Sequence, residues 1–437
     1  MYTERANKEK ITSSLRRSFI TTILGPRRVG KSLFVLHYAE THPENRWVFL
    51  NMDKMQQRQR IRHEELEQMI AEEAKQTVGG EEKIWVVIDE AQKCPEVFEQ
   101  VKVIYDTFKG QNKIKFILTG SAVLSLHKLS AETLAGRIEL FHLYEFSLRE
   151  VARFEENRVP TASLFDLIDK HVHPKELSTA IDALKPFKPL LERKLEHQLL
   201  WGGLPEMLEC ASDEERTIYL NNYIQTYLEK DVRAIESVTN LQLYRQLMEI
   251  SAEQTGSLRD EGRITTALGC SRETLKKYRG FLTATLLYKD LFPFIGTTLK
   301  RVVKSPKGYL MNNGIISTLT GLTQLTALEK SGLIGHRFEN WFLNELNIWL
   351  ARESMRAEIY YWRLQTGPEV DFIVEKKPCL FPFEITYTTQ IDKRKVNNLK
   401  RFAQKEAHEI WSYYIYRGPF HIEEKDKICF IPSWAIG

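Results

Sequence analysis

Short apolar runs and amphipathic or charged stretches alternate through the first 150 residues. Residues 19–24 form a β-rich run that leads straight into a glycine loop. Residues 32–40 then predict a helix with an apolar stripe at Leu33, Leu36 and Tyr38. A short strand is predicted at 47–50 and a charged helix at 60–76. Residues 84–88 are continuously apolar, as a strand buried on both faces should be. A helix follows at 96–108. Another buried strand covers 115–118 and ends in Thr119-Gly120-Ser121, and a fifth is predicted at 138–143. Strands alternating with helices predict an α/β fold with a parallel sheet covered on both faces.

The pattern changes near Ser147. Residues 147–235 read as helical, broken at Pro160, Pro174, Pro186 and Gly202-Gly203. Residues 240–310 give short helices and then alternating segments at 286–294 and 299–303. Beyond 311, a helix over 338–350 precedes strands at 359–362, 370–374 and 380–385, a second α/β unit.

The chain has 437 residues, too many for one core, so two to four domains are expected. Its 43% hydrophobic and 27% charged residues read as an ordinary soluble protein. No uncharged apolar run approaches eighteen residues, so no membrane span is expected. A net charge of +4, from 62 basic and 58 acidic residues, neither demands nor excludes nucleic acid. Five scattered cysteines without CxxC spacing point to free thiols in a reducing compartment, the cytoplasm.

Two motifs carry chemistry. Gly25-Pro26-Arg27-Arg28-Val29-Gly30-Lys31-Ser32, continuing into Leu33, fits the phosphate-binding pattern GxxxxGK[ST]. Backbone N–H groups of such a loop cradle phosphates, and the following helix adds the positive end of its dipole. Lys31 is expected to reach the β- and γ-phosphates of ATP, and Ser32 to ligate Mg²⁺. The strand at 84–88 delivers Asp89 at its carboxyl end, where ligands of parallel sheets bind. Asp89 is the second expected Mg²⁺ residue, and Glu90 the general base for the attacking water. Thr119 and Ser121 are candidate sensors of the γ-phosphate; a plain turn is the alternative.

GPRRVGKS, VVIDEAQKCPE, FILTGSAVLSL, LAGRIELFHLYEFSLRE, WGGLPE, EVDFIV and FEIT, spread over residues 25–386, resemble the prokaryotic AAA+ ATPases with a C-terminal nuclease-like domain of unknown function. The resemblance implies ATP as nucleotide, an AAA+ core, a helical lid, a winged helix and a nuclease-like end. It also places Arg137 where an arginine could stabilise charge on a neighbouring subunit's γ-phosphate, an effect worth roughly 10³–10⁵ in turnover. The alternative is a surface ion pair.

Residues 264–271 read as a helix, a glycine turn and an N-cap. The next helix has Leu275, Tyr278 and Leu282 on one face and Arg272, Lys276, Lys277 and Arg279 on the other, with Lys300, Arg301, Lys304 and Lys307 as a basic wing. Lys276, Lys277 and Arg279 are the nucleic-acid-binding candidates; protein contacts are the alternative use. Glu339, Asp371 and Glu384 resemble the acidic positions of the restriction-endonuclease-like fold. That fold usually has a lysine where Thr386 stands, so a vestigial nuclease is expected unless Lys393 or Lys395 substitutes. His171 and His173, without further ligands nearby, read as exposed loop.

The expected organisation is an AAA+ core at 1–150, a helical lid at 151–238, a winged helix at 239–310 and a nuclease-like domain at 311–437. The expected function is ATP hydrolysis coupled to conformational change, with DNA as partner and self-assembly on ATP. The rivals are a nucleotide-switched scaffold that binds only proteins and an ATP-regulated nuclease.

Overall fold

The computed structural model describes residues 2–120, 133–232, 238, 240–295, 305–353, 357–364, 367–406 and 410–437. The chain divides into two compact units, residues 1–144 with 284–286, and residues 145–283 with 287–437.

The first unit is built on five parallel strands, β1 (Ile20–Leu24), β2 (Arg46–Asn51), β3 (Ile84–Asp89), β4 (Ile114–Gly120) and β5 (Ile138–His142). Their order is β2-β3-β4-β1-β5. Helices between the strands cover the sheet, which is why β1 and nearly all of β3 and β4 are buried, including the polar Thr21, Thr22, Lys115 and Thr119. Ile20, Leu24, Val86, Ile88, Phe116 and Leu118 form the centre of this core.

Two expectations shift in detail. The helix Lys31–Glu40 buries Phe34, Val35 and Tyr38, whereas Leu33 and Leu36 are exposed. Lys31 is turned inward by the preceding loop, and positions three, four and seven residues on share its face. The charged helix expected at 60–76 is two helices, Met55–His63 and Leu66–Ala74. The break at extended Glu64 lets Ile61 and Leu66 both reach the core, and the Gln100 side chain accepts from the Leu66 N–H.

The second unit opens with helices, among them Leu148–Glu155, Leu164–Asp169, Pro174–Leu184, Lys188–Trp201 and Asp213–Thr226. Ser147 and Ser163 start the first two with capping boxes closed by Glu150 and Asp166. Gly202, at φ 69°, ends Lys188–Trp201. Helices Leu241–Glu253, Glu261–Leu268 and Arg272–Ala284 come next, with a three-stranded sheet in the order β6-β8-β7: β6 (Ser257–Leu258), β7 (Tyr288–Leu291) and β8 (Lys307–Leu310). The strand expected at 299–303 lies outside the described residues.

A six-stranded mixed sheet closes the chain, from β9 (Glu358–Arg363), β10 (Glu369–Lys376), β11 (Cys379–Ile385), β12 (Ser412–Tyr416), β13 (His421–Glu423) and β14 (Ile428–Pro432), in the order β13-β14-β12-β11-β10-β9. Phe372, Phe383, Tyr413 and Ile415 pack in one core with Phe342 and Trp349 of helix Ile334–Arg352. Ile373, Tyr414 and Tyr416 pack in a second core with Leu399 and Phe402 of helix Lys393–Glu406. Side chains alternating across the strands separate these two cores.

The second unit also buries charge. Glu345 accepts the Leu148 N–H at 2.7 Å, and burial pushes its carboxyl up to about 8. Glu145 is likewise raised to about 7, by burial. Such groups hold a proton more tightly folded than unfolded, so their stabilisation is present below the usual value of 4.5 and is lost as pH rises through about 8 for Glu345. Glu345→Gln keeps the acceptor and removes the charge. Scanning calorimetry should find the variant melting a few degrees above the wild type at pH 8, with the gap closing by pH 5; equal melting at pH 8 refutes the assignment.

Candidate functional site

Parallel register sets the first site. Leu24 pairs with Gly120 and with His142, Ile23 pairs with Thr119, and Asn51 pairs with Asp89. The strand ends that bear the motifs therefore meet at one carboxyl edge. The loop after β1 turns through two left-handed residues, Arg28 at φ 61° and Gly30 at φ 91°. Gly25 is needed for another reason: a Cβ there would collide with the Leu143 carbonyl oxygen. Gly30 caps helix Lys31–Glu40 without a side-chain bond, so the first helical N–H groups face the loop.

Lys31 is buried, and its ammonium donates to the Gly25 carbonyl at 3.0 Å and the Pro26 carbonyl at 2.8 Å. The Ser32 hydroxyl donates to Asp89 Oδ1 at 2.8 Å, and the Thr119 hydroxyl donates to the same oxygen. Two hydroxyls and a carboxylate so converge beside the loop. They fit Mg²⁺, a hard cation bound through one or two protein oxygens plus water and phosphate. Glu90, at φ 54°, donates its N–H to Thr119 Oγ1 at 3.3 Å and accepts from Gln92 Nε2 at 2.6 Å. Arg27 is half-buried and Arg28 exposed, Val29 is fully buried, and Leu33 points outward. Ser121 lies outside the described residues.

Arg137 is not brought to this cluster. It precedes β5 at the amino end of the sheet, where its carbonyl accepts the Ile20 N–H. The phosphate loop leaves β1 at the other end, about 13 Å away along the strand. The Arg137 guanidinium forks onto both carboxylate oxygens of Asp106, each at 2.8 Å, and holds that carboxyl below the usual range.

A second polar cluster lies in the second unit. Asp371 on β10 and Glu384 on β11 sit one step beyond the Phe372–Phe383 pair. Lys395, from helix Lys393–Glu406, donates to Asp371 Oδ2 at 2.7 Å, to Glu384 Oε2 at 3.0 Å and to the Ile385 carbonyl at 2.7 Å. Of the two lysines considered as substitutes at 386, Lys395 reaches both carboxylates, while the Thr386 hydroxyl accepts from Tyr414. Burial would raise Asp371, but Lys395 and Lys307 outweigh it and hold that carboxyl well below its usual range. Glu384 moves the other way, raised by burial and by the Asp371 charge. Its Oε1 is buried and accepts no hydrogen bond among the described residues. Glu339 accepts from the Tyr309 hydroxyl at 3.3 Å and is raised to about 7 by burial.

Two expected surface cations are not on the surface. Arg279 is 4% exposed, pairs with Glu261 and lies over the Tyr288 ring, so its side of the helix faces protein and not solvent. Lys307 lies in β8 and pairs with Glu369 and, at 3.8 Å, with Glu339. Lys276 and Lys277 are exposed as expected. Lys300, Arg301 and Lys304 lie outside the described residues. His171 and His173 are exposed, and the latter caps helix Pro174–Leu184 through Nδ1. The sequence reading missed the residues before the first helix. Arg5 donates to the Val29 carbonyl at 2.6 Å and to the Tyr144 carbonyl at 2.5 Å, and Asn7 donates to the His142 carbonyl at 2.9 Å. No motif spacing signals them, since Val29 is 24 residues away from Arg5.

Residues 17–152 match the family described as AAA domain. Residues 192–326 and 334–436 match two families described as domains of unknown function, DUF8612 and DUF4143. Uncharacterized proteins of Mycobacterium bovis and Mycobacterium tuberculosis are each 26% identical over 348 residues, covering 80% of this chain and 68% of theirs. Among solved structures, the ORC2 protein of Aeropyrum pernix in its ADP form is similar at 13% identity and a TM-score of 0.35, over 75% of this chain and 95% of that one. The RuvB Holliday junction branch migration motor of Thermotoga maritima is similar at 11% identity and a TM-score of 0.31, over 66% and 89%. No helix among the described residues is long and apolar enough to cross a membrane.

Proposed function

We propose that this chain, whose residues 17–152 form a P-loop AAA+ domain, binds ATP with Mg²⁺ and hydrolyses it to drive conformational change, with DNA as partner. One observation carries the reading: Ser32, Asp89 and Thr119 converge on one oxygen beside the glycine loop. The loop N–H groups from Gly25 to Ser32 and the Lys31 ammonium would hold the phosphates. Mg²⁺, held by Ser32 and Asp89, would neutralise charge on the phosphate oxygens. Glu90 would take a proton from water as that oxygen bonds to the γ-phosphorus and the bond to the β–γ bridging oxygen breaks, giving ADP and phosphate. Thr119 and Ser121 would report the γ-phosphate, and Arg137 would complete the site of an adjoining copy. This reading places the protein in the cytoplasm and subdivides the second unit into the lid, winged helix and nuclease-like domain expected above.

Lys395 favours a second reading, metal-dependent cleavage of phosphodiesters by the second unit. Asp371, Glu384 and the Ile385 carbonyl offer three hard oxygens around one cationic position.

Glu90→Gln should keep ATP affinity and lose about 10²–10⁴ in turnover, and wild-type turnover per subunit should rise with protein concentration through Arg137. Unchanged turnover in the variant would assign the water to another group. Replacing Lys276 and Lys277 with Glu should weaken DNA binding and lower the salt slope by about 2; wild-type binding, or turnover indifferent to DNA, moves the reading to a protein-binding scaffold. For the second reading, Mn²⁺-dependent nicking of plasmid DNA should vanish in Asp371→Asn, and a wild type that nicks nothing excludes it.

A further inference from the structure

The residues that precede the first helix, Lys8–Leu15, are tied to the phosphate loop. Thr3, Arg5 and Asn7 are all buried although no regular element holds them. Arg5 spends one guanidinium nitrogen on the Val29 carbonyl and the other on the Tyr144 carbonyl. Asn7 adds a bond to the His142 carbonyl, two residues upstream on the end of β5.

Val29 is the residue on which the loop turns. It stands between left-handed Arg28 and left-handed Gly30. The Val29 carbonyl and the Gly30 N–H belong to one planar trans peptide, so they point in opposite directions. A guanidinium that fixes the carbonyl on one side fixes the N–H on the other. A charged donor does this more firmly than a neutral one, and it places a positive charge behind a loop that must hold anions.

We propose that Arg5 is a positioning residue for the nucleotide: it holds the Val29–Gly30 peptide with its N–H turned to the phosphates and locks that orientation to the end of β5. The proposal rests on the reading of residues 25–32 as a phosphate loop. It assigns Arg5 no contact with the nucleotide itself. The Tyr144 carbonyl, which takes the second bond, lies two residues beyond the end of β5.

Calorimetric titration with ADP and Mg²⁺ tests this in the full chain, comparing wild type, Arg5→Ala, Arg5→Lys and Lys31→Ala. Arg5→Ala should weaken ADP affinity by about tenfold to a hundredfold, and methylguanidinium should restore most of it. Lys31→Ala should lose binding with no such rescue. Arg5→Lys, whose amine reaches one carbonyl only, should lie between wild type and Arg5→Ala. Wild-type affinity in a folded Arg5→Ala overturns the proposal, and so does a loss that methylguanidinium does not repair. If Arg5→Ala does not fold, undiminished affinity in Arg5→Lys overturns it instead. A wild type that fails to bind ADP overturns the phosphate-loop reading itself, a separate result.

Discussion

Parallel pairing of β1 with β4 and of β3 with β4 is the constraint on which the first unit's chemistry depends. In a parallel sheet all carboxyl ends lie on one edge, so residues from distant parts of the sequence arrive together across short connections. Ser32 and Asp89 are 57 positions apart, yet their side chains meet at 2.8 Å because β1, whose loop leads to Ser32, and β3, which ends in Asp89, finish in step on either side of β4. Covering both faces keeps the strands dry and rigid. At that edge the phosphate loop packs against the Leu143 carbonyl and is bonded by Lys31 and by Arg5.

In the second unit the organising constraint is different. Its sheet is mixed, and its polar cluster is buried between helices. Four carboxylates, Glu339, Glu369, Asp371 and Glu384, share two lysines, Lys307 and Lys395. Burial penalises the charges of Glu339, Asp371 and Glu384, and the two lysines offset part of that penalty. Asp371 keeps its charge because Lys395 and the Ile385 N–H both donate to it, whereas Glu384 is driven toward its protonated form. The cluster draws on β8, β10, β11 and two helices at once, so it binds the late segments of the chain to one another.

What was legible in the sequence was local. The glycine loop, its lysine and serine, and an acid at the end of an apolar strand are all specified within a few residues, and each lies where expected. The helix phase after the loop was misread because Leu33 and Leu36 look like a stripe, while the fold counts from inward-facing Lys31. Arg279 was placed in solvent because its partner, Glu261, is 18 positions away and only packing joins them. Lys393 and Lys395 were both open as substitutes for the lysine absent at 386; it is Lys395 that donates to Asp371 and Glu384, a choice between near neighbours that only the seating of their helix makes. Arg5 is the extreme case, since an arginine before a helix has no pattern at all.

The close approach of Gly25 to the Leu143 carbonyl has a consequence for how such a loop can be inherited or borrowed. The eight residues from Gly25 to Ser32 look like a cassette, but one wall of the cassette is backbone just beyond the end of β5, more than a hundred residues later. Transplanted onto another sheet, the loop would keep its letters and lose its mould. The unit of exchange is therefore the pair of neighbouring strands β1 and β5 with the loop between them, and recombination that separates them breaks the loop without altering a single residue in it.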